Sequence, residues 1–412
     1  MAEIAQTNLL RFPMGIDNRS LETQLADGSL RISINLDIDK SGAIRARAGA
    51  RLVAAGDFHS FFEHPSHAFS LVAKDGSLCR MAGDSFVVLR ALSTNARINY
   101  AELNGAIFWS NGSDQGMVTS DGDADYWGIL TPSAPTCAAV ATGGLRAGVV
   151  RVTQVAIAPS GFESGAPAPV SVDIPEGGGV QVTVPLGASF RMYATEPDGS
   201  EFRQVGGTWP SGSVLVIDRA PKGKLLESLL AVRPPAGRFV TAHKGRIWFS
   251  INNALWFTGA LSPHWLFPKE GTIQLPESIT MLGAVDDGLF VGTTHQVWFM
   301  PVDRPGNASI RMVLNRGVID GSGLSMIPTS ALSSQGAAGR SVAWLDTDGG
   351  LCVGRTGGIV QEVGRDRYVA GNATSAGTSY FERDGMMRII AVLSNAEAPS
   401  AAEDSPVTSV FS

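Results

Sequence analysis

The chain has few cysteines and no long apolar segment. Its 412 residues include three cysteines, Cys79, Cys137 and Cys352, which are widely spaced and lie in apolar surroundings. Such cysteines are typical of buried reduced thiols, which disfavours both a disulfide scaffold and a zinc cluster. No stretch approaches the roughly 20 apolar residues of a membrane span, and residues 1–6 lack the pattern of a signal peptide. We therefore expect no membrane attachment and folding in a cytoplasm.

Positive charge is also scarce. Lysine and arginine number 32 against 38 aspartates and glutamates, which gives a net charge of −6 at pH 7, and no basic block is present. Proteins that bind duplex DNA carry a basic footprint that neutralises phosphates. The negative net charge therefore argues against ordinary binding of duplex DNA, but it does not exclude passive contact with DNA.

Long helical stretches are missing too. Charged residues make up only 17% of the chain, whereas glycine accounts for 48 residues and proline for 22. The one segment with helical character, residues 222–230, is short. This composition is typical of an all-β protein with ample length for two cores.

A short motif recurs along the chain: a polar residue, a glycine, and then a short apolar run rich in β-branched and aromatic residues. Asp75-Gly76 and Asn104-Gly105 open two of these phrases, and the others have their glycines at positions 245, 288, 349 and 385. A polar residue followed by glycine supplies the positive φ of a hairpin turn, and the apolar run after it has the composition of a buried strand. Most of the spacings are close to the roughly 40 to 50 residues of one propeller blade.

Only the gap between positions 105 and 245 is too long for one blade. Within it, residues 131–217 alternate strictly between apolar and polar residues, with Gly, Pro and Ser clusters about every ten residues, which is typical of a β-sandwich. Removing these 87 residues leaves 53, close to one blade. The sequence therefore predicts a β-propeller interrupted by an inserted β-sandwich.

The predicted domains follow from this arrangement. Residues 1–130 form an N-terminal arm and the first part of the propeller, and residues 131–217 form the sandwich. Residues 218–394 complete the propeller. Residues 395–412, which are polar and rich in small side chains, form a flexible tail.

The sequence contains no complete catalytic motif. Metalloprotease, Walker and nucleophile-elbow motifs are absent, and the nearest approach, residues 112–116, has its serine displaced by one position, so we interpret it as a turn. Asp121, Asp123 and Asp125 have the spacing of a calcium loop. Tyr126 and Pro132, however, replace the required glycine and glutamate, which favours a solvated turn.

Histidines and carboxylates raise two further possibilities. His59, His64 and His67 could form a metal site, but no cysteine or carboxylate pair completes the set, which favours a surface loop. Paired carboxylates could serve a glycosidase, although they lie beside turn glycines, where aspartate is common for backbone reasons. These carboxylates are Asp286, Asp287, Asp346 and Asp348. The remaining histidines, His243, His264 and His295, lie near tryptophans in the sequence, which favours packing at the edge of the core.

Five tryptophans lie in or just after the recurrent apolar runs. They could form a sugar-binding platform, but aromatic residues at equivalent positions of a repeat more often pack between neighbouring blades. We therefore assign them to the core. They are Trp109, Trp248, Trp256, Trp265 and Trp298.

Several of these segments resemble a known family. Residues 14–18 and 36–49, the latter with Asp-x-x-Gly and Arg-x-Arg-x-Gly motifs, are similar to the start of tail hub or nozzle proteins of short-tailed bacteriophages. Residues 253–299 resemble the blades of such hubs, and residues 315–318 resemble the link that opens the next blade. The segment 131–217 resembles the fibronectin-type, immunoglobulin-like sandwiches common in phage tail proteins.

The resemblance implies a structural role in the virion, with no catalytic, cofactor-binding or metal-binding residues. Hubs of this family form closed rings, commonly homohexamers, that continue the DNA channel below the portal and adaptor. Fibres or spikes attach at the side and the tail tip lies below. DNA passes without specific binding, and the particle is assembled in the host cytoplasm. The resemblance thus predicts an all-β virion protein with itself as its main partner.

Two other functions remain open. One is a propeller that binds or cleaves glycans, which would need a carboxylate constellation or an aromatic platform at one mouth. The other is a monomeric propeller that acts as a docking module.

Overall fold

A computed structural model describes residues 11–39, 41–47, 49, 51–158, 161–302, 309–326, 339–371, 373–383, 386–394 and 408–411. Their regular secondary structure is almost entirely β-strand, with short 3-10 turns at Glu22–Gln24 and Thr356–Gly358. The prediction of an all-β chain is confirmed. The described part of the chain has no helix with the length and apolar character needed to cross a membrane.

The chain divides into two compact units. One contains residues 1–56 and 276–412, and the other contains residues 57–275. The first unit begins with four short strands, β1 (Gly15–Ile16), β2 (Ser29–Leu30), β3 (Leu36–Ile38) and β4 (Ile44–Ala46). Strand β1 pairs in parallel with β2, and β3 pairs antiparallel with β4.

The beginning of this unit is bound to its C-terminal part. The side chain of Asn18 donates a hydrogen bond to the backbone oxygen of Val369 (2.8 Å) and accepts one from the Val369 amide (3.1 Å). Arg388, which is buried, pairs with Asp37 at 2.9 Å. Asn18 and Asp37, near the start of the first unit, therefore link it to residues of the same unit that lie far away in sequence.

The second unit starts with two four-stranded antiparallel sheets whose strands follow one another in chain order. Sheet A contains β5 (Phe58–Phe62), β6 (Ser70–Lys74), β7 (Ser77–Ala82) and β8 (Ser85–Ala91). Sheet B contains β9 (Asn99–Leu103), β10 (Ala106–Ser110), β11 (Gln115–Val118) and β12 (Ala124–Asp125).

The next seven strands form a sandwich of two sheets. They are β13 (Thr136–Leu145), β14 (Gly148–Ile157), β15 (Val170–Ile174), β16 (Gly178–Thr183), β17 (Ser189–Ala194), β18 (Arg203–Trp209) and β19 (Val214–Ile217). One sheet has the order β13-β16-β19 and the other β15-β14-β17-β18. Buried residues of both sheets, among them Val152, Val180 and Leu215, share one apolar core.

After the sandwich the chain returns to a four-stranded sheet. Sheet C contains β20 (Arg238–His243), β21 (Arg246–Ile251), β22 (Ala254–Phe257) and β23 (Thr272–Gln274). Sheet B packs between sheets A and C because β10 buries alternate side chains on its two faces. Ile107 and Trp109 pack against sheet A, and Phe108 packs against sheet C.

The first unit resumes with three more sheets. Sheet D contains β24 (Ile279–Ala284), β25 (Gly288–Thr293), β26 (Val297–Pro301) and β27 (Arg311–Leu314). Sheet E contains β28 (Leu324–Met326), β29 (Ser341–Leu345), β30 (Leu351–Arg355) and β31 (Ile359–Val363). Sheet F contains β32 (Ser375–Arg383), β33 (Met386–Ser394) and β34 (Thr408–Phe411).

Sheet E repeats the packing of sheet B. Val342 and Trp344 of β29 pack against sheet D, whereas Ala343 and Leu345 pack against sheet F. Strands buried on both faces are apolar throughout, which explains the apolar runs in the sequence. The stretch predicted to be a flexible tail, residues 395–412, lies outside the described residues except for β34, which pairs with β33.

The recurrent glycines mostly form the predicted turns. In the two-residue hairpin loops Asp75-Gly76, Asn104-Gly105 and Lys244-Gly245, both residues have positive φ, as a type I′ turn requires. Gly349 also has positive φ. Gly288 is not among the residues with positive φ. Its missing side chain instead leaves room for Phe299, because a Cβ there would lie 2.7 Å from that ring. Gly385 lies outside the described residues.

The segment 222–230, which has helical character in sequence, contains no helix. It runs along the sandwich in an extended course, with isolated bridges from Leu225 to Arg203 and from Leu229 to Ala166. Leu226 and Leu229 pack against a small buried cluster that includes Tyr193. Tertiary burial of these leucines thus outweighs the local helical preference.

Candidate functional site

The sandwich has one exposed sheet face without charge. Along β16 and β19, Val180, Val182, Leu215 and Ile217 point into the core, so the residues between them face outward. Cross-strand register places these outward residues in two rows. We call them the outer sandwich face; it consists of Thr136, Thr183, Val214, Ala138, Gln181 and Val216.

The outer sandwich face is uncharged and partly apolar. Val214 and Val216 are 55% and 49% exposed, and none of the three strands contains a charged residue. Exposed sheet faces normally carry polar and charged side chains, and contiguous apolar surface marks interaction sites. This face is therefore suited to contact with another protein surface.

The opposite sheet of the sandwich is partly covered. Val155, Tyr193 and Ala166 form a buried cluster outside the main core, against which Phe202, Leu226 and Leu229 pack. The covering segments leave the outer sandwich face as the more open side of this domain.

A buried glutamate fixes these covering segments. The Glu163 carboxylate, which is 8% exposed, pairs with Arg191 and with Lys224 Nζ at 2.9 Å, and it accepts a hydrogen bond from the Tyr193 hydroxyl at 3.2 Å. Burial by itself raises the pKa of Glu163, but the hydrogen bonds from Lys224 and Arg191 outweigh it and hold the pKa below its usual range. Burial first, and the negative charge of Glu163 second, raise the pKa of Tyr193.

The loop that contains Glu163 also contacts the segment between β22 and β23 of sheet C. Trp265 Nε1 donates a hydrogen bond to the backbone oxygen of Glu163 at 2.7 Å, and the rings of Phe162 and His264 lie 3.9 Å apart. Burial lowers the pKa of His264, which keeps the ring neutral and suited to packing. The sandwich is thus tied to its neighbouring sheets by specific contacts.

Sequence reasoning overlooked Glu163. Its only local signal is a carboxylate between the small residues of Gly161-Phe162-Glu163-Ser164-Gly165. Its partners Arg191 and Lys224 lie far away in sequence, and no spacing rule connects them.

The other histidines have structural surroundings as well. His59 contacts Ser60 Oγ at 2.8 Å and Asn95 Oδ1 at 2.9 Å, and His64 contacts Ser66 Oγ at 2.7 Å. His243 is buried, and His295 lies 3.1 Å from a Glu277 oxygen. Burial lowers the pKa of His67. Within the described ranges, no three histidine, cysteine or acidic side chains are grouped to hold a metal ion.

The two acidic or serine-containing segments singled out in sequence are turns. Asn111 Oδ1 accepts hydrogen bonds from the amides of Ser113 and Asp114, which closes the turn at residues 112–116. In the other segment, the amide of Gly122 bonds to the backbone oxygen of Thr119, and Asp125 Oδ1 accepts from the Tyr126 amide. The turn interpretation is confirmed for the first part of each segment, because Gln115 and Gly116 belong to β11 and Asp125 belongs to β12.

The paired carboxylates accept hydrogen bonds from backbone amides and form ion pairs with arginines. Asp346, fully buried, pairs with Arg316 at 3.0 Å and with Arg365, and its Oδ1 accepts from the Gly350 amide at 2.8 Å. Asp348 pairs with Arg365 at 2.6 Å. Asp286 and Asp287 accept hydrogen bonds from the amides of Arg340 and Gly357, at 3.2 and 2.7 Å. These carboxylates are engaged in folding contacts.

The tryptophans divide into two groups. Trp109 and Trp248 are 1% exposed, which confirms their assignment to the core. Trp256, Trp265 and Trp298 are half-buried, and Trp256 packs on the core between sheets B and C. Trp127 and Trp344, which the sequence analysis did not single out, are also fully buried.

Comparison with known proteins adds a general likeness only. No family model and no curated protein matches the chain. Solved structures with a similar chain course include BBS1N in complex with ARL6DN (13% identity, TM-score 0.34, 81% of this chain and 86% of that chain). They also include Hsv2 of Kluyveromyces lactis (7%, 0.31, 82% and 90%) and the N-terminal domain of Nup159 (10%, 0.31, 82% and 73%).

Proposed function

We propose that the chain is a structural protein of a bacteriophage tail, a hub or nozzle subunit that assembles into a closed ring. Its four-stranded sheets are the blades of a β-propeller, and the sandwich is a fibronectin-type insert on the outside of the ring. It has no enzymatic activity. DNA passes through the ring below the portal and adaptor, and the protein resides in the virion tail.

The outer sandwich face carries this proposal. It belongs to an inserted domain whose other sheet is partly covered, and it is uncharged and partly apolar. Contact through such a face depends on apolar burial, which salt does not screen as it screens exposed charges. The face therefore suits lasting attachment of a side component of the tail, a fibre or spike.

The opening of the chain supports the same function. Residues 14–18 and 36–49 resemble the start of tail hubs, and in this chain Asn18 and Asp37 bind Val369 and Arg388. A ring subunit subject to mechanical load during DNA ejection benefits from such long-range closure. The motif therefore has a structural use that fits the proposed role.

The test combines imaging of the purified protein with analysis of virions. We expect electron microscopy to show closed rings of one copy number, and mass analysis of purified virions to detect the chain. Isolated discs would favour the monomeric docking module, and glycan turnover would favour the enzyme. Absence of the chain from virions would overturn the proposal.

A substitution tests the outer sandwich face separately. Val216→Lys places a charge on the edge strand β19 of this face. It should leave ring formation intact while reducing attachment of the side component, measured as the copy number of fibre or spike protein per tail. Val88→Lys, at a valine of β8 that is 65% exposed, is the matched control and should change neither property. Loss of the ring in Val216→Lys alone would assign the face to contact between copies.

A further inference from the structure

Strand β19 is an edge of the sheet that carries the outer sandwich face. It pairs with β16 on one side only, and its register with β16 runs without a shift from Val214 to Ile217. The other sandwich edges are interrupted or charged: β13 bulges at residues 141–144, β18 bulges at residues 206–207, and β15 contains the exposed Asp173. Bulges and charges keep an edge strand from pairing with another chain. Among the described strands of the sandwich, β19 is therefore the edge without such protection.

The hydrogen bonds beside β19 identify its free backbone groups. In an antiparallel pair, successive residues alternately bond to the partner strand and direct their N–H and C=O groups away from it. Just beyond the paired residues, the Val184 amide donates to the backbone oxygen of Ser213 at 2.9 Å, so Leu215, two residues further on, also bonds to β16. Val214 and Val216 therefore direct both backbone groups to the open edge. No other described segment forms a hydrogen bond with these groups.

The two ends of this open edge are closed by the chain itself. Asp218 follows Val216 in the same alternation, and its backbone oxygen accepts a hydrogen bond from the Gly144 amide, in the β13 bulge, at 2.8 Å. Before β19, the Ser213 amide donates to the backbone oxygen of Pro210 at 3.3 Å. The free edge is thus confined to Val214 and Val216, which is enough for one short strand.

The chemistry of this edge selects an extended peptide strand. The free groups of Val214 and Val216 repeat at the two-residue spacing of a β-ladder, so one extended segment can bond to both. Residues that pair across a ladder share a face, so the partner residues opposite the two valines would extend the outer sandwich face. Because that face carries no charge, a charged residue there would lose hydration without gaining an ion pair. The fitting segment is uncharged and apolar at every second residue.

A second copy of this chain fits the edge less well. Two β19 strands paired antiparallel would be related by a two-fold axis and would join the copies in pairs. A closed ring instead needs a heterologous interface between neighbouring copies. Since the ring belongs to the function proposed above, this choice between partners rests on that proposal.

We propose that a short extended strand of another protein, uncharged and apolar at every second residue, adds to β19 through backbone hydrogen bonds with Val214 and Val216. Backbone bonds supply the affinity of such strand addition, and the alternate side chains supply its specificity. In the tail the strand belongs to the side component, an identification that rests on the proposed function.

Peptide binding to the full chain, measured by fluorescence anisotropy, tests strand addition. The probe is a labelled, end-capped Thr-Val-Thr-Val-Thr-Val peptide in two forms, methylated either on the threonine amides or on the valine amides. With its valines on the outer sandwich face, the valine amides face β19 and the threonine amides face away. We expect the threonine-methylated peptide to bind saturably and the valine-methylated peptide to bind at least about tenfold more weakly. Equal binding of the two peptides, or no saturable binding of either, would overturn the proposal.

Variants of Val216 separate backbone pairing from side-chain contact. Val216→Pro keeps an apolar side chain but removes an N–H that the sandwich does not use, so the melting temperature should stay the same while the threonine-methylated peptide binds at least about tenfold more weakly. Val216→Thr, the matched control, keeps the N–H and the branched shape and should weaken binding less than about threefold. Wild-type binding by Val216→Pro would show that side chains alone make the contact and would overturn the proposal. A dimer of the full chain that Val216→Pro dissociates would assign β19 to a second copy instead. If Val216→Pro lowers the melting temperature, the two methylated peptides decide the question by themselves.

Virions distinguish this inference from the proposed function. Fewer fibre or spike proteins per tail in Val216→Pro, with the ring intact, would identify the side component as the donor of the strand, and an unchanged number would refute that identification. Absence of the chain from virions, together with binding of the threonine-methylated peptide, would refute the tail function and support strand addition to β19.

Discussion

At the scale of single residues, Glu163 shows how a buried charge organises the second unit. Arg191 and Lys224 bind its carboxylate, and its backbone oxygen accepts a hydrogen bond from Trp265. A buried ion pair adds little net stability compared with apolar packing, but loss of one partner leaves an uncompensated charge. Glu163 therefore specifies how the covering segments lie on the sandwich.

Glu163→Gln should lower the free energy of unfolding by about 3 kcal/mol at neutral pH, because Arg191 and Lys224 lose their counter-charge. Chemical denaturation followed by circular dichroism measures the change. Glu201→Gln is the control, since Glu201 is 67% exposed and pairs with Arg203 at the surface, and it should change stability by less than about 0.5 kcal/mol.

The same variant has a defined pH dependence. The pKa of Glu163 in the folded state is below its ordinary value of 4.5, so the unfolded chain binds the proton more readily. The stability from Glu163 is complete above that ordinary value and is lost as the pH falls through the lower, folded pKa. Wild type and Glu163→Gln should therefore converge in stability on acidification, and a constant difference between them would contradict this assignment.

At the scale of elements, the sandwich and the segment after it form one structural piece. The segment 225–230 contacts the sandwich through the bridges at Leu225 and Leu229, whereas Ala231 lies beside the start of the insert. Thr131 Oγ1 donates to the Ala231 backbone oxygen at 3.2 Å, so the two ends of the stretch 132–230 are close together. A short linker can therefore join residues 131 and 231.

Replacement of residues 132–230 by a short Gly/Ser linker should leave a protein that unfolds cooperatively. Replacement of residues 131–217 alone should give a less stable product, because Leu226 and Leu229 lose their packing partners. Thermal melting followed by circular dichroism compares the two deletions. Loss of cooperative unfolding in both would show that the sandwich is part of the core of its unit.

At the scale of the whole molecule, charge limits how the protein meets DNA. The net charge is −6, so a ring of six copies would carry about −36. In the proposed ring, such a wall would repel phosphate and guide DNA without binding it.

Binding of a short duplex without terminal phosphates should be weak at physiological salt, because few lysines or arginines cluster to release counterions. Fluorescence anisotropy with a labelled duplex at low and physiological salt measures it, with a basic DNA-binding protein as the positive control. Tight binding at physiological salt would be incompatible with a passive channel.

The sequence alone determined the all-β class and the hairpins at residues 75–76, 104–105 and 244–245. Positive φ at a turn and alternation along a strand are local properties, which the residues themselves encode. It also identified the burial of Trp109 and Trp248, because runs that are apolar on both faces must be covered.

Only the tertiary structure decided which distant groups meet. It directed Leu226 and Leu229 onto the sandwich instead of into a helix, and it gave Gly288 a packing role in place of a turn. It also assembled Glu163 with Arg191 and Lys224. These contacts depend on burial and on charges brought together by folding, and no local pattern in the chain encodes that proximity.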